Sequence, residues 1–223
     1  MSPRNGLMSV VAGGILVVVA LATGAVGPLL TIPSWTAESD QLFANFGWAV
    51  AGAGDVNNDG YDDVIVGAVF LDNPEQDEGQ SRVYLGGPGG LSATPAWAVD
   101  GNNVSANFGH AVSGAGDVNN DGYDDVIVGA PRYFNPEVRE GRAFVYLGRI
   151  GGPSTLATWT GESNQDEANF GWSVAGAGDV DNDGYDDIVV GAPFYGNGEL
   201  GEGRAYVYHG GGSGLSPTAA WMA

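Results

Sequence analysis

Three observations predict an all-β chain built as part of a β-propeller: a strict internal period of 62 residues, strand-like alternation inside each period, and too much Gly and Pro for long helices. The period is carried by Trp35, Trp97, Trp159 and Trp221, and by Phe46-Gly47, Phe108-Gly109 and Phe170-Gly171 in the same register. GAGDVNNDGYDDVIVGA runs from Gly52 to Ala68, recurs unchanged from Gly114 to Ala130, and returns as GAGDVDNDGYDDIVVGA from Gly176 to Ala192. With Gly 39 and Pro 11 among 223 residues, the chain is punctuated by turns.

Within each unit the elements follow in a fixed order. Phe46, Trp48 and Val50 alternate with small residues as a first strand; an Asp/Asn/Gly turn leads into the β-branched run Val64-Ile65-Val66 as a second. Arg82-Val83-Tyr84-Leu85 is the third strand, matched by Arg142 to Leu147 and Arg204 to His209. A Gly/Pro turn from Gly86 to Gly90 then leads to a fourth strand at Trp97. Four short antiparallel strands per period are one propeller blade. The expected division is a targeting segment over 1–25, an extra outer strand around Trp35 with the first blade over 33–98, a second blade over 99–160 and a third over 161–223. Propellers close with about 4 to 8 blades, so this chain alone is not expected to close a ring. A longer parent protein is the first expectation, a ring completed by a second copy the next, and an open arc the last.

Before the first blade, no charged residue falls between Arg4 and Glu38, and Leu7 to Leu30 is almost wholly apolar. One short basic end, an apolar core and small-residue sites at Ala20-Leu21-Ala22 or Thr23-Gly24-Ala25 describe a secretory signal. The stretch also reaches the roughly 20 residues of a membrane anchor, but Gly24, Gly27 and Pro28 favour cleavage. Either way the blades are expected to be secreted or displayed at the cell surface.

Charge and composition exclude several functions. Seven basic residues, all arginine and unclustered, face 27 acids, for a net charge of −20. Nucleic acid, which needs a basic face, is ruled out as a partner, and so is a polybasic contact with membrane lipids. The absence of cysteine removes disulfides, thiolate metal sites and thiol nucleophiles.

The joint pattern of Phe-Gly, an acidic Asp-Gly turn and a closing Gly-Ala-Pro at Gly129-Ala130-Pro131 and Gly191-Ala192-Pro193 resembles the FG-GAP repeat of integrin α-chain propellers and of secreted bacterial FG-GAP proteins. The first copy departs from it with Gly67-Ala68-Val69. The resemblance spans residues 33 to 223 and implies a propeller that binds calcium; it names no ligand.

Each acidic turn reads Asp-x-Asn/Asp-x-Asp-Gly-Tyr-Asp-Asp, placing oxygens at positions 1, 3 and 5 around a tight reversal made possible by Gly60, Gly122 or Gly184. Position 12, where an EF-hand needs a bidentate Glu, is Val66, Val128 or Val190, so the turns are not EF-hands. The resemblance implies instead that the position-9 Asp closes the site and the position-7 carbonyl joins it. The ligand sets are then Asp55, Asn57, Asp59, Asp63 and the Tyr61 main chain; Asp117, Asn119, Asp121, Asp125 and Tyr123; and Asp179, Asp181, Asp183, Asp187 and Tyr185. About three Ca2+ ions, one per repeat, are expected. Asp62, Asp124 and Asp186 are expected to face solvent. Two carboxylates about 4 Å apart repel by about 4 kcal/mol at an effective dielectric near 20, a cost that a hard cation removes. Magnesium fits less well, because it keeps its waters.

Nothing in the sequence marks an active site. His110 stands in the register of Trp48 and Trp172, and His209 in that of Leu85 and Leu147, so both read as substituted strand residues. No nucleophile elbow, zinc motif or lysine-bearing phosphate loop occurs. Arg142 and Arg204 are expected to pair with Glu140 or Glu202. The loops between second and third strands differ most among copies, and Tyr133, Phe134, Phe194 and Tyr195 are the candidates there for a contact surface. The function expected is a non-catalytic, exported calcium-binding scaffold that recognises an extracellular protein or glycan, with further repeats or self-association closing the ring. The alternative is the non-catalytic propeller portion of a larger extracellular hydrolase, a phospholipase or a polysaccharide-active enzyme.

Overall fold

The computed structural model describes residues 33–199 and 201–223; the targeting segment expected over 1–25 lies outside them. Twelve strands form three antiparallel sheets in simple sequential order. The first contains β1 (Phe46–Gly54), β2 (Asp63–Ala68), β3 (Gln80–Tyr84) and β4 (Trp97–Asp100). The second contains β5 (Ala111–Gly116), β6 (Asp125–Ala130), β7 (Arg142–Tyr146) and β8 (Trp159–Glu162). The third contains β9 (Ser173–Gly178), β10 (Asp187–Ala192), β11 (Arg204–Tyr208) and β12 (Trp221–Met222). These are the expected four-stranded blades, and among the described residues they do not close into a ring.

The core lies in the seams between successive sheets. β1 packs on β5 and β5 on β9, and one apolar cluster joins Ala53, Val56 and Ile65 to Phe108, Val126 and Tyr146 across the first seam. A second joins Val118, Ile127 and Val145 to Phe170, Ile188 and Tyr208. The repeat motif explains this closeness. A Cβ on Gly67 would stand 2.0 Å from the Gly109 carbonyl oxygen of the next blade, and one on Gly129 equally close to that of Gly171, so the Phe-Gly of each blade lies against the Gly-Ala of the blade before.

A tryptophan latches each seam. Trp97 on the outer strand of the first blade donates its indole N–H to the Ser154 carbonyl at 2.8 Å and meets Tyr146 edge-on; Trp159 does the same to Ser216 and Tyr208. Both are buried, at 3% and 7% exposure. Trp35 seats identically on Ser92 and Tyr84, but its segment forms no ladder, so the expected outer strand is reduced to its latch. Trp221 is 53% exposed.

Candidate metal centre and loop face

The acidic turns are aimed by bulges. The pairing of β1 with β2 slips between Gly52 and Gly54, β5 with β6 between Gly114 and Gly116, and β9 with β10 just before Gly178 pairs with Asp187. One extra residue per first strand bends the chain as it enters the turn. The first acid then folds the loop onto itself: Asp55 accepts the Asp59 N–H on Oδ1 (3.0 Å) and the Gly60 N–H on Oδ2 (2.7 Å), and Asp117 and Asp179 repeat both bonds. The ninth acid is fully buried and anchors the turn to the sheet. Asp63 accepts from Val56 N and Gly86 N, Asp125 from Val118 N and Gly148 N, and Asp187 from Val180 N and Gly210 N, all within 2.7–3.0 Å. Burial outweighs those donors, raising the pKa of Asp63 and pushing that of Asp125 up to about 7.

In the third turn, carboxylate oxygens of Asp179, Asp181 and Asp187 converge within 4.8 Å of one another. Asp183, expected at position 5, is not in that group and accepts the Tyr185 N–H. In the first turn, Asn57 Nδ2 donates to Asp59, which leaves Asn57 Oδ1 buried without a hydrogen-bond partner. An orphaned acceptor beside carboxylates fits a hard cation that takes oxygen ligands. In the second, the corresponding oxygen of Asn119 accepts the Asp121 N–H at 3.2 Å.

Two of the three eighth acids depart from expectation. Asp124 Oδ2 crosses the first seam to accept the Asp55 N–H at 2.8 Å, and Asp186 Oδ2 crosses the second to accept the Asp117 N–H at 3.0 Å. They tie blades together and are half-buried, whereas Asp62 is exposed. Gly54 and Gly116 are glycine because a Cβ would stand 2.2 Å and 2.1 Å from these carboxylates, in a positive-φ conformation. The sequence signal was present as a fixed acid beside the ninth; its partner lies in another repeat.

At the opposite end of the second strands, Tyr133 and Tyr195 are not free contact residues: Arg142 and Arg204 lie over their rings at 4.6 Å and 3.9 Å. Arg142 pairs with Glu162 on β8, not with Glu140 as expected. Phe134 and Phe194 are exposed, as expected of a contact surface, and so are Trp48 and Trp172, which line up on either side of His110 with ring centroids 5.9 and 4.7 Å from it. Phe194 meets Trp172 edge-on and lines a groove of about 760 Å3 with Arg139, Gln165 and Glu199. Burial holds the His110 pKa below its ordinary value, so the ring is neutral at pH 7. His209 Nδ1 lies 2.9 Å from Asp181 Oδ2, a contact its strand register did not reveal.

Three sheets of four strands, with Phe-Gly packed on Gly-Ala at every seam and an acidic turn at the head of every second strand, define propeller blades of the FG-GAP type. The FG-GAP repeat model matches residues 46–85, 108–146 and 170–208, and the chain belongs to the FG-GAP repeat family. It is 36% identical over 189 residues to integrin alpha-8 of Gallus gallus, covering 81% of this chain and 17% of that protein. Integrin alpha-5 of Xenopus laevis matches at 35% over 164 residues, 70% of this chain and 15% of the relative, and human integrin alpha-IIb at 36% over 176 residues, 75% and 16%. The chain therefore spans about a sixth of the length of these relatives.

Proposed function

We propose that this chain is a calcium-stabilised, non-catalytic recognition scaffold, exported to the cell surface or the medium, that presents the loops between second and third strands to an extracellular protein or glycan. The observation that carries the reading is the threefold acidic turn, whose first and ninth acids are held alike in every blade while a buried Asn57 oxygen stands without a partner. Ca2+ would be held by Asp55, Asn57, Asp59 and Asp63 with the Tyr61 carbonyl, and by the matching residues of the other two turns; the ion would neutralise the acids and stiffen the turns. The exposed Phe134, Phe194, Trp48 and Trp172 supply the aromatic area that recognition surfaces use. A neighbouring blade, from the same polypeptide or a second copy, covers the face that leaves Trp221 exposed.

Calorimetric titration of the full chain with CaCl2 tests the metal reading, with about three turn sites expected, each lost separately by Asp55→Asn, Asp117→Asn or Asp179→Asn. An unchanged site count in all three folded variants overturns it. For the recognition reading, an array of extracellular-matrix proteins and glycans is probed in millimolar calcium. Binding that survives Phe134→Ser with Phe194→Ser excludes the loop face.

A further inference from the structure

A second acidic pattern repeats at the other end of the blades. Asn73-Pro74-Glu75 with Glu78-Gly79, Asn135-Pro136-Glu137 with Glu140-Gly141, and Asn197-Gly198-Glu199 with Glu202-Gly203 keep the same 62-residue period inside the loops between second and third strands. These loops differ elsewhere, which hides the pattern. In the second blade Glu140 is 0% exposed, and neither of its carboxylate oxygens has a hydrogen-bond partner; Oε2 of Glu137 is also buried and unpartnered. The charges nearest Glu140 are two further acids, Glu162 and then Glu137, with the Arg142 guanidinium acting against them. A buried carboxylate without a donor is costly, and two together cost more.

The local charges show what is missing. Glu162 on β8 is the third acid, and its Oε2 already receives Arg142 and, at 3.1 Å, the Asn135 amide. The Arg142 guanidinium is committed to Glu162 and the Tyr133 ring, and Arg139 is turned to Glu167 at 3.4 Å. Glu137, Glu140 and Glu162 thus share one arginine, leaving two negative charges. The first blade repeats this balance with different residues. Glu78 is fully buried, and unlike Glu140 it accepts a backbone N–H, from Asn102 on Oε2 at 2.8 Å, with Oε1 unpartnered; Asp100 is held by the neutral amides of Asn73 and Gln80, and Arg82 Nε donates to Gln80. Glu75, the counterpart of Glu137, is exposed, and the remaining two carboxylates there face no arginine. A single proton cancels half of either excess, whereas a divalent cation cancels it whole. In the third blade Glu202 is exposed and accepts the Asn197 N–H, so that copy makes no such demand.

We propose that Glu137 and Glu140 hold a divalent cation in the second blade, with Glu162 and Arg142 setting the charge around it. The oxygen-only donor set and the absence of a rigid octahedral frame select Ca2+ over Mg2+. The ion sits at the far end of β6 from the acidic turn, within the loop between β6 and β7. The three carboxylates do not converge as Asp179, Asp181 and Asp187 do, so the ion rests on the Glu137 and Glu140 pair.

The test uses the full chain and metal alone. Crystals soaked in MnCl2 are expected to give an anomalous peak within about 2.5 Å of both the Glu137 and Glu140 carboxylates. CaCl2 titration of Glu140→Gln is expected to lose one site, and the three acidic-turn variants are expected to retain the Glu140-dependent one, which separates this site from the turns. Should Glu140→Gln not fold, Glu137→Gln carries the same titration. No peak at the pair, or an unchanged site count in a folded variant, overturns the proposal and leaves a shared proton as what the acids hold.

Discussion

Asp125 and Glu140 stand near opposite ends of the second blade's second strand, both fully buried and both with a pKa pushed up to about 7, yet the fold treats them differently. Asp125 receives two backbone N–H groups, from Val118 and Gly148, and so ties two loops to the sheet. Glu140 receives none. Desolvation sets the direction of both shifts, but the donors decide what the acid does without a cation: Asp125 already anchors two loops before its turn takes up an ion, whereas Glu140 has nothing until an external positive charge arrives.

The largest effect expected from this contrast is at the anchor. Asp125→Ala leaves two buried N–H groups without acceptors and is expected to cost about 2 to 6 kcal/mol, read from denaturant midpoints. A loss below about 1 kcal/mol would erase the distinction. Next comes the seam beside it. Gly116→Ala drives a methyl to 2.1 Å from Asp186 and is expected to cost about 1 to 3 kcal/mol beyond backbone strain, whereas Gly178→Ala, with a similar φ and nothing within 4 Å, costs only that strain of about 1 kcal/mol. Equal losses would show that the clamp contributes nothing.

Glu140→Gln is expected to act in the opposite direction. The folded pKa lies above the ordinary 4.5, so the ionised form is the disfavoured one: its cost is absent below about pH 4.5, grows towards pH 7 and is complete above it. In chelator at pH 8 the substitution should therefore stabilise the chain by on the order of 2 kcal/mol and flatten its stability between pH 5 and 8, measured by thermal unfolding across that range. Saturating Ca2+ should narrow the gap between the two proteins.

Smaller effects test the turns themselves. At millimolar Ca2+ and the roughly 0.1 to 1 mM affinities of extracellular calcium modules, each turn site should add about 0.4 to 1.4 kcal/mol, visible as a melting temperature that falls in chelator. Smallest is the comparison of the half-buried Asp124 with the exposed Asp62. Asp124→Ala loses its bond to Asp55 N and should cost about 1 kcal/mol, while Asp62→Ala should stay within about 0.5 kcal/mol of the parent.

Much of this was legible in residue order alone. The 62-residue period, the alternation around Phe46 and Trp48 and the β-branched Val64 to Val66 run determine three four-stranded blades, because side-chain periodicity and turn chemistry act over a few residues. The spacing of Asp55, Asn57, Asp59 and Asp63 likewise marks a turn that gathers oxygens. Only tertiary structure revealed that Asp124 and Asp186 reach into the preceding blade, that Arg142 chooses Glu162 over Glu140, that Tyr133 lies under a guanidinium, and that Glu140 is buried without a donor. These facts depend on which groups from distant parts of the chain meet in a seam and which are shut off from water, and a carboxylate's role follows from those neighbours.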